Sequence, residues 1–153
     1  MSMSRIFTKS LSNNNFSNVP RFGLMFDIDG VILRGPKVLP TAPKAFEKLT
    51  DINGKFKIPT VFVTNAGNCL RQAKADKLST SLGIEVTEDH VVMSHSPLKM
   101  FKEFHNKHIL AVGQGPVVEI AKNLGFRSVT TIDEYKKAFP SLDAVDQDRR
   151  KST

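Results

Sequence analysis

The sequence predicts an α/β domain built on a parallel sheet. Two observations carry this. Short apolar runs rich in β-branched residues alternate with stretches of helical periodicity, and a polar or glycine cluster follows each of several runs. The runs are continuous, which is the pattern of strands buried on both faces. A Rossmann-like sheet with helices on both faces follows. In such sheets, ligands bind outside the carboxyl ends of the strands. Asp27/Asp29, Thr64/Asn65 and Gly113 to Gly115 are all expected at such ends.

The elements run in order from Arg21. Residues 21–28, RFGLMFDI, are an apolar run broken at Asp27 and closed by Gly30, which reads as a buried strand entering a turn. Val31 to Pro40 holds Gly35, Pro36 and Pro40 and should be irregular or a small hairpin. Thr41 is placed to cap a helix reaching about Leu49, with Ala42, Ala45, Phe46 and Leu49 on one face. Ile58 to Val63 is a second strand, ending in Thr64-Asn65. A helix from about Leu70 to Leu82 is closed by Gly83. Residues 84–107 read as a short extended piece and then a helix around Pro97 to His105. Ile109 to Val112 is a third strand, followed by Gly113-Gln114-Gly115. Pro116 suits the first turn of a helix running to Asn123. Phe126 to Thr131 is a fourth strand, and Asp133 to Phe139 a short helix.

Composition excludes several classes. The chain has 153 residues, suited to one domain. Its single Cys, Cys69, rules out an internal disulfide and a multi-thiolate metal site. No apolar run approaches the ~20 residues of a membrane helix, so no membrane partner is expected. The formal charge is +7, without an Arg/Lys stripe interleaved with aromatics, so no nucleic-acid partner is expected either. Residues 1–26 hold Arg5, Lys9 and Arg21 and no acid. Within residues 1–19, Met3, Phe7 and Leu11 recur every fourth position, so a helix would stack them opposite Arg5 and Lys9. A basic, Ser-rich, acid-free amphipathic start is the pattern of a mitochondrial transit peptide. The alternative is a disordered tail and a cytoplasmic protein.

The chemistry centres on residues 26–31, FDIDGV. In extended chain, residues two apart project to the same side, so Asp27 and Asp29 present two carboxylates together. Two close acids repel, and either one holds a proton or both share a cation. Hard oxygen ligands suit Mg²⁺, which takes a few carboxylates plus water and substrate phosphate. A carboxylate can then attack phosphorus while its neighbour handles a proton. Gly30 lets the backbone bend around a ligand. An Asx turn or helix cap would account for one such acid. It does not account for two closing one apolar strand.

With DIDGV and VFVTN in place, the sequence resembles the haloacid dehalogenase superfamily, in the capped subgroup (class IIA type). The resemblance runs from about Arg21 to the C-terminus. It implies that Asp27 is the nucleophile and Asp29 the general acid/base, with Mg²⁺ held by the Asp27 side chain and the Asp29 backbone carbonyl. It implies that Thr64, in the second motif, binds the transferred phosphoryl group, with Asn65 and Gly30 beside it. The spacing of about 35 residues between the motifs fits the subgroup with a cap inserted after the second. The expected function is a Mg²⁺-dependent phosphatase acting through an aspartyl-phosphate on a small phosphorylated substrate.

The chain departs from the family further on. The family's third motif is a Lys or Arg that braces the nucleophile, and its fourth is an acidic pair that completes the metal site. After Thr131 the chain offers Asp133, Glu134, Asp143, Asp146 and Asp148, but no strand ending in an acidic pair, and Lys136 and Lys137 fall in a helix. Residues 20–140 are therefore read as the N-terminal part of the core, and 141–153 as the disordered start of a truncated cap. On that reading the alternative function is an inactive fragment that binds or regulates a partner, and the open sheet leaves room for a homodimer. His90, His95, His105 and His108 lack metal-site spacing and are read as surface or cap residues. Cys69 is read as a small core residue. GQGPVVE matches neither GxGxxG nor a Walker A loop.

Overall fold

A computed structural model describes residues 21–140; the proposed transit segment and the 141–153 tail lie outside them. The expected α/β alternation is present. In chain order the elements are β1 (Leu24–Asp27), β2 (Leu33–Arg34), β3 (Lys37–Val38), α1 (Ala42–Leu49), β4 (Thr60–Thr64), α2 (Arg71–Leu82), β5 (Val91–Met93), β6 (His108–Ala111), α3 (Val117–Leu124), β7 (Ser128–Thr131) and α4 (Ile132–Ala138). β1, β4 and β5 form a parallel sheet in the order β1-β4-β5, β2 and β3 form a hairpin, and β6 and β7 form a separate parallel pair.

The register follows from side-chain burial. Phe26 pairs with Phe62, and Phe62 with Val91, so these three lie in one row across the sheet. That row and Met93 meet Phe46 of α1 and Ala75, Leu78 and Leu82 of α2 in one core cluster. Phe62 is fully buried, with ring centroids 5.4 Å from Phe46 and 6.0 Å from Phe56. Such aromatic pairs add about 0.5–1.5 kcal/mol beyond area burial. The opposite face carries Met25 and Val92, which are 74% and 37% exposed. α1 and α2 thus cover one face, while α3 and α4 pack on the β6–β7 pair, where Ile120, Ala121, Leu124 and Phe126 form a second cluster.

The helix expected at Pro97 to His105 is two 3₁₀ turns, Ser96–Met100 and Lys102–Phe104. Phe101 separates them, because its ψ of 60° leaves the helical region. His105, expected at the surface, is half-buried and stacks edge-on against Phe126 at 4.9 Å. His90 is half-buried too, and its Nδ1 accepts from the Thr87 amide at 3.0 Å.

Candidate active site

β1 and β4 run parallel with Asp27 in register with Val63, so the carboxyl ends of two neighbouring strands lie side by side. Beyond β1 the backbone folds back at once. The Gly30 amide donates to the Leu33 carbonyl at 2.6 Å, and the amides of Ile32 and Leu33 both donate to the Ile28 carbonyl at 2.9 Å. Gly30 sits at φ +95°, a conformation that a side chain disfavours. Ile28 is fully buried and anchors the turn, while Asp27 and Asp29 on either side of it are exposed.

Thr64 ends β4 and is 3% exposed. Its hydroxyl donates to Asp29 Oδ2 at 2.6 Å and accepts from the Ala66 amide at 3.0 Å. The second expected motif is thereby joined to the second acid of the first, across 35 residues of chain. The hydroxyl has one proton, and Asp29 takes it. Donation from Thr64 to any other acceptor requires that bond to be released. Asn65 follows as an exposed residue at the strand end.

Two further segments close on the loop after Thr64. The Ser94 amide and hydroxyl each lie 3.4 Å from the Ala66 carbonyl oxygen, and His95 Nε2 lies 3.2 Å from that of Cys69. A Cβ at Gly67 would collide with Ser94 Oγ, so that side chain would have to move aside. Gly115 abuts the Asn68 carbonyl so closely that a Cβ would overlap it. The glycine loop after β6 is therefore brought to the same region as the ends of β1 and β4. Ser94 and His95 were missed as contributors at the sequence level. The signal was available: a polar cluster directly after β5, equivalent to Thr64-Asn65 after β4. Cys69 is partly buried against the main core, in keeping with its expected role.

Among the described residues, no group of three or more His, Cys, Asp or Glu side chains is arranged to hold a metal ion. Asp27 and Asp29 do offer two exposed hard-oxygen groups within one turn. Mg²⁺ is commonly held by one or two carboxylates, with water and substrate phosphate completing its shell. The donor set fits that minimal role.

Residues 24–127 match the family model described as haloacid dehalogenase-like hydrolase. The chain belongs to that family. A mitochondrial hydrolase of Saccharomyces cerevisiae is 33% identical over 120 residues, covering 76% of this chain and 33% of that protein. Among solved structures, a hypothetical protein of Pyrococcus horikoshii aligns with a TM-score of 0.59 at 25% identity, covering 76% of this chain and 43% of that one. A glycerol phosphate phosphatase of Mycobacterium tuberculosis, solved with magnesium, aligns at 0.53 and 20% identity, over 71% of this chain and 31% of that one. The haloacid dehalogenase-like chain thus spans about a third of the length of its yeast relative.

Proposed function

We propose that this chain supplies the nucleophile half of a Mg²⁺-dependent phosphatase that acts through an aspartyl-phosphate on Asp27. The observation that carries the reading is the hydrogen bond from Thr64 to Asp29, which ties together the ends of β1 and β4 beside Asp27. Family membership and the magnesium in the mycobacterial phosphatase structure support it. Asp27 Oδ attacks phosphorus and the bond to the leaving-group oxygen breaks. Asp29 gives that oxygen a proton, then takes one from the water that hydrolyses the acyl phosphate. Asp27 and the Asp29 backbone carbonyl would hold Mg²⁺, which when bound would neutralise charge on the phosphoryl oxygens. The backbone around Gly30 orients the phosphoryl group, with Asn65 at the rim, and Thr64 joins them only when its hydroxyl releases Asp29. The substrate is a small phosphorylated molecule. The compartment proposed is the mitochondrion, supported by the yeast relative's name and by the acid-free residues 1–26.

A second reading is a binding or regulatory module without turnover, favoured by the lack of a third metal-ligating side chain among the described residues. One paired assay separates the two. Hydrolysis of a generic phosphate monoester with Mg²⁺ is measured for the 153-residue chain and for a longer form that adds a bracing Lys and an acidic pair. Turnover is expected in the longer form alone. There Asp27→Asn should lower kcat by at least about 10³-fold with an unchanged melting temperature. Retained turnover in that variant overturns the mechanism. Absence of turnover in every form leaves the module reading.

A further inference from the structure

The segment between β5 and β6 carries a surface that the candidate site does not use. Its backbone closes in steps of three: the Phe101 amide donates to the Leu98 carbonyl at 3.2 Å, Phe104 to Phe101 at 3.0 Å, and Lys107 to Phe104 at 2.9 Å. These bonds link two short turns, Ser96–Met100 and Lys102–Phe104, across the break at Phe101. Leu98, Phe101 and Phe104 are 43%, 42% and 51% exposed, and Met100 is 47% exposed. Lys99, Lys102 and Lys107 are interleaved with them in sequence, and Glu103 is the one acid from Leu98 to Lys107.

Four large apolar side chains exposed within seven residues mark an interaction surface. Its charge selects the occupant. Such a surface can press into a deformable apolar layer. Rings and a leucine at that depth, with ammonium groups on long stems beside them, match the boundary between acyl chains and anionic headgroups. No helix of the described residues is long and apolar enough to cross a membrane, and a surface contact requires none. The expectation of no membrane partner rested on spanning segments alone. We propose that residues 98–107 dock the protein peripherally on a bilayer containing anionic phospholipid.

The test is co-sedimentation of the full chain with vesicles of phosphatidylcholine alone, and with vesicles that also contain phosphatidylglycerol. Two double variants accompany it, F101S/F104S and K99Q/K102Q. All four positions are exposed, and unchanged melting curves will show that the variants fold. The chain should partition onto the anionic vesicles only and be released by salt. Each double variant should weaken partition by about tenfold or more, at roughly fivefold per lysine removed. Three results overturn the proposal. One is no partition at low salt. Another is undiminished partition of F101S/F104S, which moves the lipid contact to other basic residues. The third is self-association that F101S/F104S abolishes, without lipid binding, which gives the surface to a second copy of the chain.

Discussion

Thr64 is where local sequence and long-range structure meet. Asp27, Asp29 and Thr64 were legible as polar residues closing apolar strands. The hydroxyl's choice of Asp29 was not, because it depends on how β1 lies against β4, a register no local pattern encodes. Thr64→Val keeps the shape but leaves the Ala66 amide and the Asp29 carboxylate without this partner. It should lower unfolding free energy by about 1–2 kcal/mol in chemical denaturation. Asp29→Asn still offers an oxygen to Thr64 and should cost clearly less. Equal losses would show that the pair does not hold the loop. Gly115 gives a second residue-scale prediction. Its φ of +79° and its contact with the Asn68 carbonyl leave no place for a methyl group. Gly115→Ala should destabilise by about 1–3 kcal/mol. Amide NMR should show the largest shifts at residues 66–69, on the far side of that contact.

At the scale of elements, most boundaries could be read. The helix of residues 71–82 ends where Gly83 permits, and α3 begins after Pro116. The failure at residues 96–104 has a physical cause: an apolar spacing of three or four residues suits both helix types, and only the Phe101 backbone decides between them. β5, at three residues, is too short to announce itself and is identified by pairing with β4. The short 3₁₀ turn before it, Glu88–His90, is capped by a titratable side chain, His90. Burial pushes the His90 pKa below its ordinary 6.5, against the opposing charges of Asp89 and Glu85. Its Nδ1 lone pair faces the Thr87 amide and hydroxyl at 3.0 and 2.9 Å. Below about pH 6.5 the unfolded chain takes up this proton before the folded one, so stability falls as pH drops through that window. His90→Gln keeps a capping acceptor without titrating, and melting temperatures of that variant should be flatter across the window. Asp51 and Glu134 also titrate low, held by the amides of Lys55 and Thr131 respectively. Their contribution is lost only in the carboxylate range, so the two effects separate on the pH axis.

Across the whole molecule, the α/β class was legible and the division of the sheet was not. Strand order is a matter of which distant runs meet, and β6 finds β7 while β5 finds β4. The main core depends on one ring more than on any other. Phe62 is fully buried between the aromatic side chains of α1 and the loop at Phe56. Phe62→Ala should cost about 3–5 kcal/mol, a large share of the ~5–15 kcal/mol typical of a domain. An equilibrium denaturation midpoint close to wild type would show that the cluster is not what holds the sheet to its helices. The open face at Met25 and Val92 adds little to that total, so substitutions there should be nearly neutral by the same measurement.

The order of strands also gives the protein a history. All three strands of the β1-β4-β5 sheet have been synthesised by Met93, before the first residue of β6 exists. The bond between Asp29 and Thr64 closes a span of 35 residues, and its entropic toll is met by the same strand pairing that buries Phe26 and Phe62. A nascent chain growing from its N-terminus can therefore seat this pair while the ribosome is still making the glycine loop. Gly115 arrives later, against a turn that is already formed.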